Sequence, residues 1–159
     1  MLRLLSETRL AWRRPLDVAD DDITTNEAST SQSEQSLALP SQTVDIVEGQ
    51  WVTLDAAGKA TLVTVPTRLA FPTFAAGERL DVNGLGQVCG LFGMFVAETD
   101  QFRLDTGDTY AAGTDLTVEN GLLRPAAAGE PIVAVAEGPL SAATTAHPNG
   151  LLRFASLRG

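Results

Sequence analysis

The sequence predicts an all-β protein, a compact antiparallel β-barrel or sandwich spanning about residues 44–159. Three observations carry this expectation. All 14 glycines fall at or after Gly49, so turn punctuation is dense in the later part of the chain and missing before it. Between the glycines lie short β-branched or alternating runs, with almost no helical periodicity. Glu119-Asn120-Gly121 sets an Asn-Gly pair between two such runs, the strongest short-range signal for a β-hairpin.

Taken in order, Val44–Leu54 (VDIVEGQWVTL) reads as one or two strands, and Asp55-Ala56-Ala57-Gly58 turns it into Lys59–Val65 (KATLVTV). Val88–Ala97 (VCGLFGMFVA) is a nearly continuous apolar run and is expected as a single central strand buried on both faces. A buried helix is disfavoured there by Gly90 and Gly93. Alternation places Phe92, Met94 and Val96 on one face, and Leu91, Gly93 and Phe95 on the other. Thr114–Val118 and Leu122–Arg124 flank the Asn-Gly turn, and Ile132–Ala136 and Leu151–Phe154 complete the set. The phrase A-A-G-x-x-[LI] begins at Ala75, Ala111 and Ala127; its unequal spacing marks a reused turn, not a solenoid or propeller.

Residues 1–43 differ in kind and are expected to form an extended or disordered N-terminal arm. Asp17–Gln42 carries four Asp, two Glu, no aromatic residue and a Ser/Thr/Gln-rich stretch, too little apolar surface to offset its ordering entropy. The three adjacent acids Asp20-Asp21-Asp22 repel one another in such a segment. Ahead of it, Leu2, Leu4, Leu5, Leu10 and Trp12 are interspersed with Arg3, Arg9, Arg13 and Arg14, a pattern suited to docking on a partner. The partner-binding residues assigned are Leu2, Leu4, Leu5, Arg9, Leu10, Trp12, Arg13 and Arg14. The alternative is that this segment folds back onto the body as an extra strand or helix. On the arm reading, deletion of residues 1–43 leaves the body folded.

Composition excludes several functions. A net charge of −9 repels a phosphate backbone, so no nucleic-acid partner is expected. No run approaches the ~20 apolar residues of a membrane-spanning helix, and the first residues lack the h-region of a secretory signal. Cys89 and His147 are the only residues of their kinds, which removes disulfide frameworks and the usual Cys/His zinc sites. Cys89, inside the most apolar run, is expected to be inert. His147 precedes Pro148-Asn149-Gly150 and is placed on an exposed loop tip. Asp100, Asp105 and Asp108 lack the spacing of a calcium loop and are read as a solvated hairpin loop. No phosphate-binding glycine motif or nucleophile elbow is present. The protein is therefore expected to be no enzyme, with no catalytic residue, metal or cofactor.

One resemblance adds to this. Val47-Glu48-Gly49-Gln50-Trp51-Val52-Thr53-Leu54-Asp55-Ala56-Ala57-Gly58-Lys59, with Gly113-Thr114-Asp115-Leu116-Thr117-Val118 and Ala127-Ala128-Gly129-Glu130-Pro131-Ile132-Val133-Ala134-Val135, resembles the head decoration, or capsid cement, proteins of tailed bacteriophages. The resemblance covers scattered pieces of residues 45–137; the acidic segment before residue 44 and the run Val88–Ala97 stand outside it. It implies a structural virion protein, made in the host cytoplasm, that binds the major capsid protein on the outer capsid surface and clamps neighbouring capsomers, as a homo-oligomer such as a dimer or trimer. An arm of some forty residues, at about 3.3 Å each, would reach roughly 130 Å across such a surface. The alternatives are a tail tube or baseplate component and, in another class, a small β-barrel enzyme or carbohydrate-binding module.

Overall fold

Strands β1 (Leu2–Glu7), β9 (Phe95–Thr99), β13 (Leu152–Ser156), β12 (Ala134–Ala136), β10 (Asp115–Glu119) and β11 (Leu122–Pro125) pair in that order into one open six-stranded sheet. The computed structural model describes residues 1–7, 11–26, 41–74 and 86–157. Three smaller sheets complete the described fold. They are β2 (Trp12–Asp17) with β8 (Gln87–Phe92), β3 (Ile23–Asn26) with β4 (Ser41–Val44), and β6 (Ala60–Leu62) and β7 (Phe71–Pro72) on either side of β5 (Trp51–Leu54). Every strand-to-strand ladder is antiparallel, an all-β sandwich of the expected class.

Local signals placed the hairpins correctly. Asn120 and Gly121 both take positive φ, 52° and 77°, as a two-residue turn between twisted strands requires, and join β10 to β11. The turn also seals against the three-stranded sheet, where Trp51 N–H donates to the Gly121 carbonyl and Gly121 N–H to that of Val63. In the β5–β6 turn, the Asp55 carboxylate accepts the backbone N–H groups of Ala57 and Lys59, each at 2.9 Å.

The apolar run at 88–97 is divided, which corrects the single strand expected there. Gly93, at φ 93°, breaks it into β8 and β9, which belong to different sheets. Its two-sided burial survives in β8, where Leu91 faces a large core with Trp51, Phe95, Leu116 and Phe154, while Val88 faces a smaller one with Leu16, Val18, Val52 and Phe71. Strand β5 divides the cores in the same way, sending Trp51 into the first and Val52 into the second. Past the break, Phe95 is buried but Met94 is exposed.

The described part of residues 1–43 is extended but does not stand apart. β1 pairs with β9 and β2 with β8, so the chain takes the alternative course of adding strands to the body, and the division at residue 44 is crossed by continuous ladders. The physical reason is alternation: Leu2 enters the large core with Leu4 against it, while Leu16 and Val18 enter the small one. Asp20–Asp22 form a 3-10 turn whose last acid has a task, since Asp22 accepts hydrogen bonds from Leu62 N–H and Thr61 Oγ1 along the outer edge of β6. That contact closes an edge otherwise open to another chain. Residues 8–10 and 27–40, with the Ser/Gln run, lie outside the described residues, as does the phrase that begins at Ala75.

Candidate partner-binding surface

Trp12 and Phe92 are directly opposite across β2 and β8, and their rings stack with centroids 4.3 Å apart and planes 11° from parallel. Phe92 also meets Phe71 at 4.3 Å, so three rings lead from the surface into the small core. Gly90 makes the arrangement possible, because a Cβ there would come within 2.8 Å of the Phe71 ring and 2.9 Å of the Phe92 ring. Trp12 remains half exposed, whereas Trp51 is fully buried. Beside Phe92, a groove of about 170 Å³ is walled by Leu54, Leu69, Phe71 and Phe92, with Thr53 its one polar lining residue. Leu54 and Leu69 are exposed at its edges. Thr53 also borders a second depression of about 310 Å³ that includes Thr61, Leu62, Val65 and Thr67.

The residues assigned to partner binding are thus split by the fold. Leu2 is buried and Leu4 packs on the core, so they hold β1 in place. Leu5 is exposed where the β1–β9 register shifts between Leu4 and Ser6. Arg9 and Leu10 lie outside the described residues. Trp12, Arg13 and Arg14 come together on β2; the Arg13 guanidinium carbon sits 5.0 Å from the centroid of the Phe74 ring, while Arg14 shares the Trp12 face by alternation. Leu54, Leu69 and Phe92 were not assigned from the sequence. Only Phe92 had been singled out, as a core residue.

Residues 104–107 are exposed, as a solvated loop requires, but the acids of residues 100–108 do not stand free in it, because they belong to ion pairs. Arg103 holds Asp108 through two hydrogen bonds of 2.8 and 2.9 Å, and Asp105 lies 3.3 Å from the same guanidinium. Arg124, nearly buried, is fixed by Glu130 at 2.7 and 2.8 Å and by Glu119 at 2.8 Å. Glu119 also lies 3.6 Å from Arg103 and joins the two clusters. Hydrogen bonds from Arg103 hold the Asp108 carboxyl below its ordinary range, and those from Arg124 hold Glu130 at about 2. Burial raises the Tyr110 phenol, whose O–H donates to the Arg103 carbonyl. With their oxygens committed to guanidinium groups, these carboxylates serve as fasteners between the 103–110 and 125–130 loops and the β10–β11 hairpin. The available signal was that no other arginine or lysine stands between Arg79 and Arg153 than Arg103 and Arg124.

His147 is likewise turned inward, not displayed at a loop tip. Its Nδ1 lies 3.4 Å from Asp100 Oδ2, while Asp100 Oδ1 accepts the Met1 ammonium at 2.6 Å and the Gln101 amide at 3.0 Å. Burial opposes ionisation of Asp100, but those two hydrogen bonds outweigh it and hold the carboxyl below its ordinary range. Ser141 is committed to the Leu151 N–H and the Thr144 hydroxyl to the His147 N–H. Cys89 is half-buried, and desolvation pushes its thiol up. Among the described residues no group of three or more His, Cys, Asp or Glu side chains is arranged to hold a metal ion. Comparison with known proteins returns no match: no protein-family model, curated protein or solved structure matches this chain.

Proposed function

We propose that this chain is a non-enzymatic structural protein of a tailed-phage virion that binds the major capsid protein on the outer surface of the head and stabilises contacts between capsomers. The observation that carries the reading is the Trp12–Phe92 stack, half exposed beside an apolar groove on paired strands. Large aromatic side chains presented rigidly next to a pocket are the usual anchors of protein–protein interfaces. The phrases that carry the resemblance support it further. Residues 47–59 contain β5 and the turn that leads into β6, and supply Thr53 and Leu54 to the groove, while residues 113–118 and 127–135 run through β10 and β12 of the large sheet.

The test is co-sedimentation with expanded heads of the encoding phage. The intact protein is expected to saturate the heads, and Trp12→Ala to bind at least tenfold more weakly while keeping its β-type far-ultraviolet spectrum. Failure of the intact protein to sediment with heads refutes the reading. Assembly into rings or tubes moves the protein to the tail instead.

A further inference from the structure

We propose that the groove beside Trp12 receives an apolar side chain from an extended, acidic segment of the partner protein, with its flanking carboxylates engaging Arg14 and Arg68. The identity of the partner as capsid protein rests on the proposed function; the chemistry of the groove does not.

Size is the first argument. About 170 Å³ falls below the roughly 300–1,000 Å³ of sites that enclose a small molecule, but suits one anchoring side chain. The lining is the second. Among the described residues four of the five that line it are apolar, so the groove offers little of the convergent polar lining that fixes a sugar. Continuity is the third: the second depression shares Thr53 with the first, so an extended segment, whose side chains on one face recur about every 7 Å, has a second apolar and threonine-lined depression to follow.

Charge then selects the occupant. The chain as a whole carries −9, and its buried arginine, Arg124, is saturated by acids. Beside the groove the flanking charges among the described residues are two arginines and one acid, Asp55, which follows the groove residue Leu54 and whose carboxylate is engaged by the backbone N–H groups of Ala57 and Lys59. Arg14 lies on the Trp12 face of β2, and Arg68 immediately precedes the groove residue Leu69. Both are exposed, and among the described residues neither has a carboxylate partner. A cationic rim on an acidic protein steers acidic segments to this place and disfavours basic ones.

Fluorescence supplies the assay, because Trp51 is sealed in the core and acrylamide quenching reports on Trp12. The probes are an end-capped hexapeptide alternating glutamate with leucine, the same peptide with lysine for glutamate, and maltohexaose. The glutamate peptide is expected to shield Trp12 and to bind at least tenfold more tightly than the lysine peptide. Arg14→Glu combined with Arg68→Glu is expected to reverse that preference without changing the far-ultraviolet spectrum. Equal or tighter binding of the lysine peptide, shielding by maltohexaose alone, or shielding that grows with protein concentration and no added probe each overturns the proposal. If heads are bound while the glutamate peptide is ignored, the groove assignment falls and the capsid reading stands. If the peptide is bound while heads are ignored, the capsid reading falls and the groove assignment stands.

Discussion

Deleting residues 1–18 is expected to unfold this protein. The truncation removes β1 and β2, and with them Leu2, Leu16 and Val18, which are 3%, 4% and 2% exposed. Burial of each such side chain stabilises the fold by about 1.5–3 kcal/mol, so the three together contribute roughly 5–9 kcal/mol. An extended-chain reference inflates such values by some 10–40%, leaving about 3–8 kcal/mol. Against a typical domain stability of about 5–15 kcal/mol, that loss takes a large part of the margin, and the ladders stripped from β8 and β9 add to it. The assay is urea unfolding followed by near- and far-ultraviolet circular dichroism, with Leu16→Ala as the milder case at about 2–5 kcal/mol. A truncated protein that still unfolds cooperatively, with a midpoint close to that of the full chain, refutes the reasoning and returns these residues to the role of a tether.

Phe95→Ala is expected to cost about 3–5 kcal/mol, because the ring is 3% exposed and packs edge-on against Phe154; Phe92→Ala, half-buried between Trp12 and Phe71, is expected to cost about 1–2 kcal/mol. Equal losses in chemical denaturation would show that the two faces are equally buried. Stability is expected to fall with acid. Glu130 is depressed from 4.5 to about 2 and Asp108 is also depressed, so their contribution is complete above the ordinary carboxylate range and is lost as pH drops through the folded values. Arg124→Met is expected to flatten the part of this acid limb that belongs to Glu130; an unchanged slope between pH 4.5 and 2 in melting experiments removes that pairing as a source of acid sensitivity.

What was legible in the sequence was what short-range chemistry decides. Asn120-Gly121 and Asp55-Ala56-Ala57-Gly58 announced their hairpins because the turn itself demands those residues. The run 88–97 announced its burial, since apolar character is local, but not its division, since whether Gly93 lies inside a strand or between two depends on where the flanking residues find partners. Residues 1–18 failed for the complementary reason. Composition averaged over a long segment hid two short alternating strands whose partners lie 70–97 positions away, at β8 and β9. Asp22, Asp108 and His147 were misread alike: each was judged by its chain neighbours, whereas its partner comes from elsewhere in the fold or from a loop closure that spacing alone does not reveal.

Placing Trp12 and Arg14 on a paired strand changes how the proposed decoration role must work. A disordered arm that folds on binding loses about 2–5 kcal/mol or more of its interaction energy to ordering, whereas a groove held by β2, β5, β7 and β8 is organised before contact. Reach is surrendered in exchange. The roughly 130 Å assigned to a free arm is replaced by a body of about 40 Å, the scale of a single domain. To clamp capsomers, such a body must straddle a seam between two subunits or act as an oligomer whose copies each hold one. The stoichiometry of saturated heads separates these cases: occupancy only where capsomers meet fits the first, whereas one copy on every capsid subunit requires self-association. A copy on every subunit together with a strictly monomeric protein, in solution and on the head, would leave nothing to span the seam and would remove the clamp from the reading.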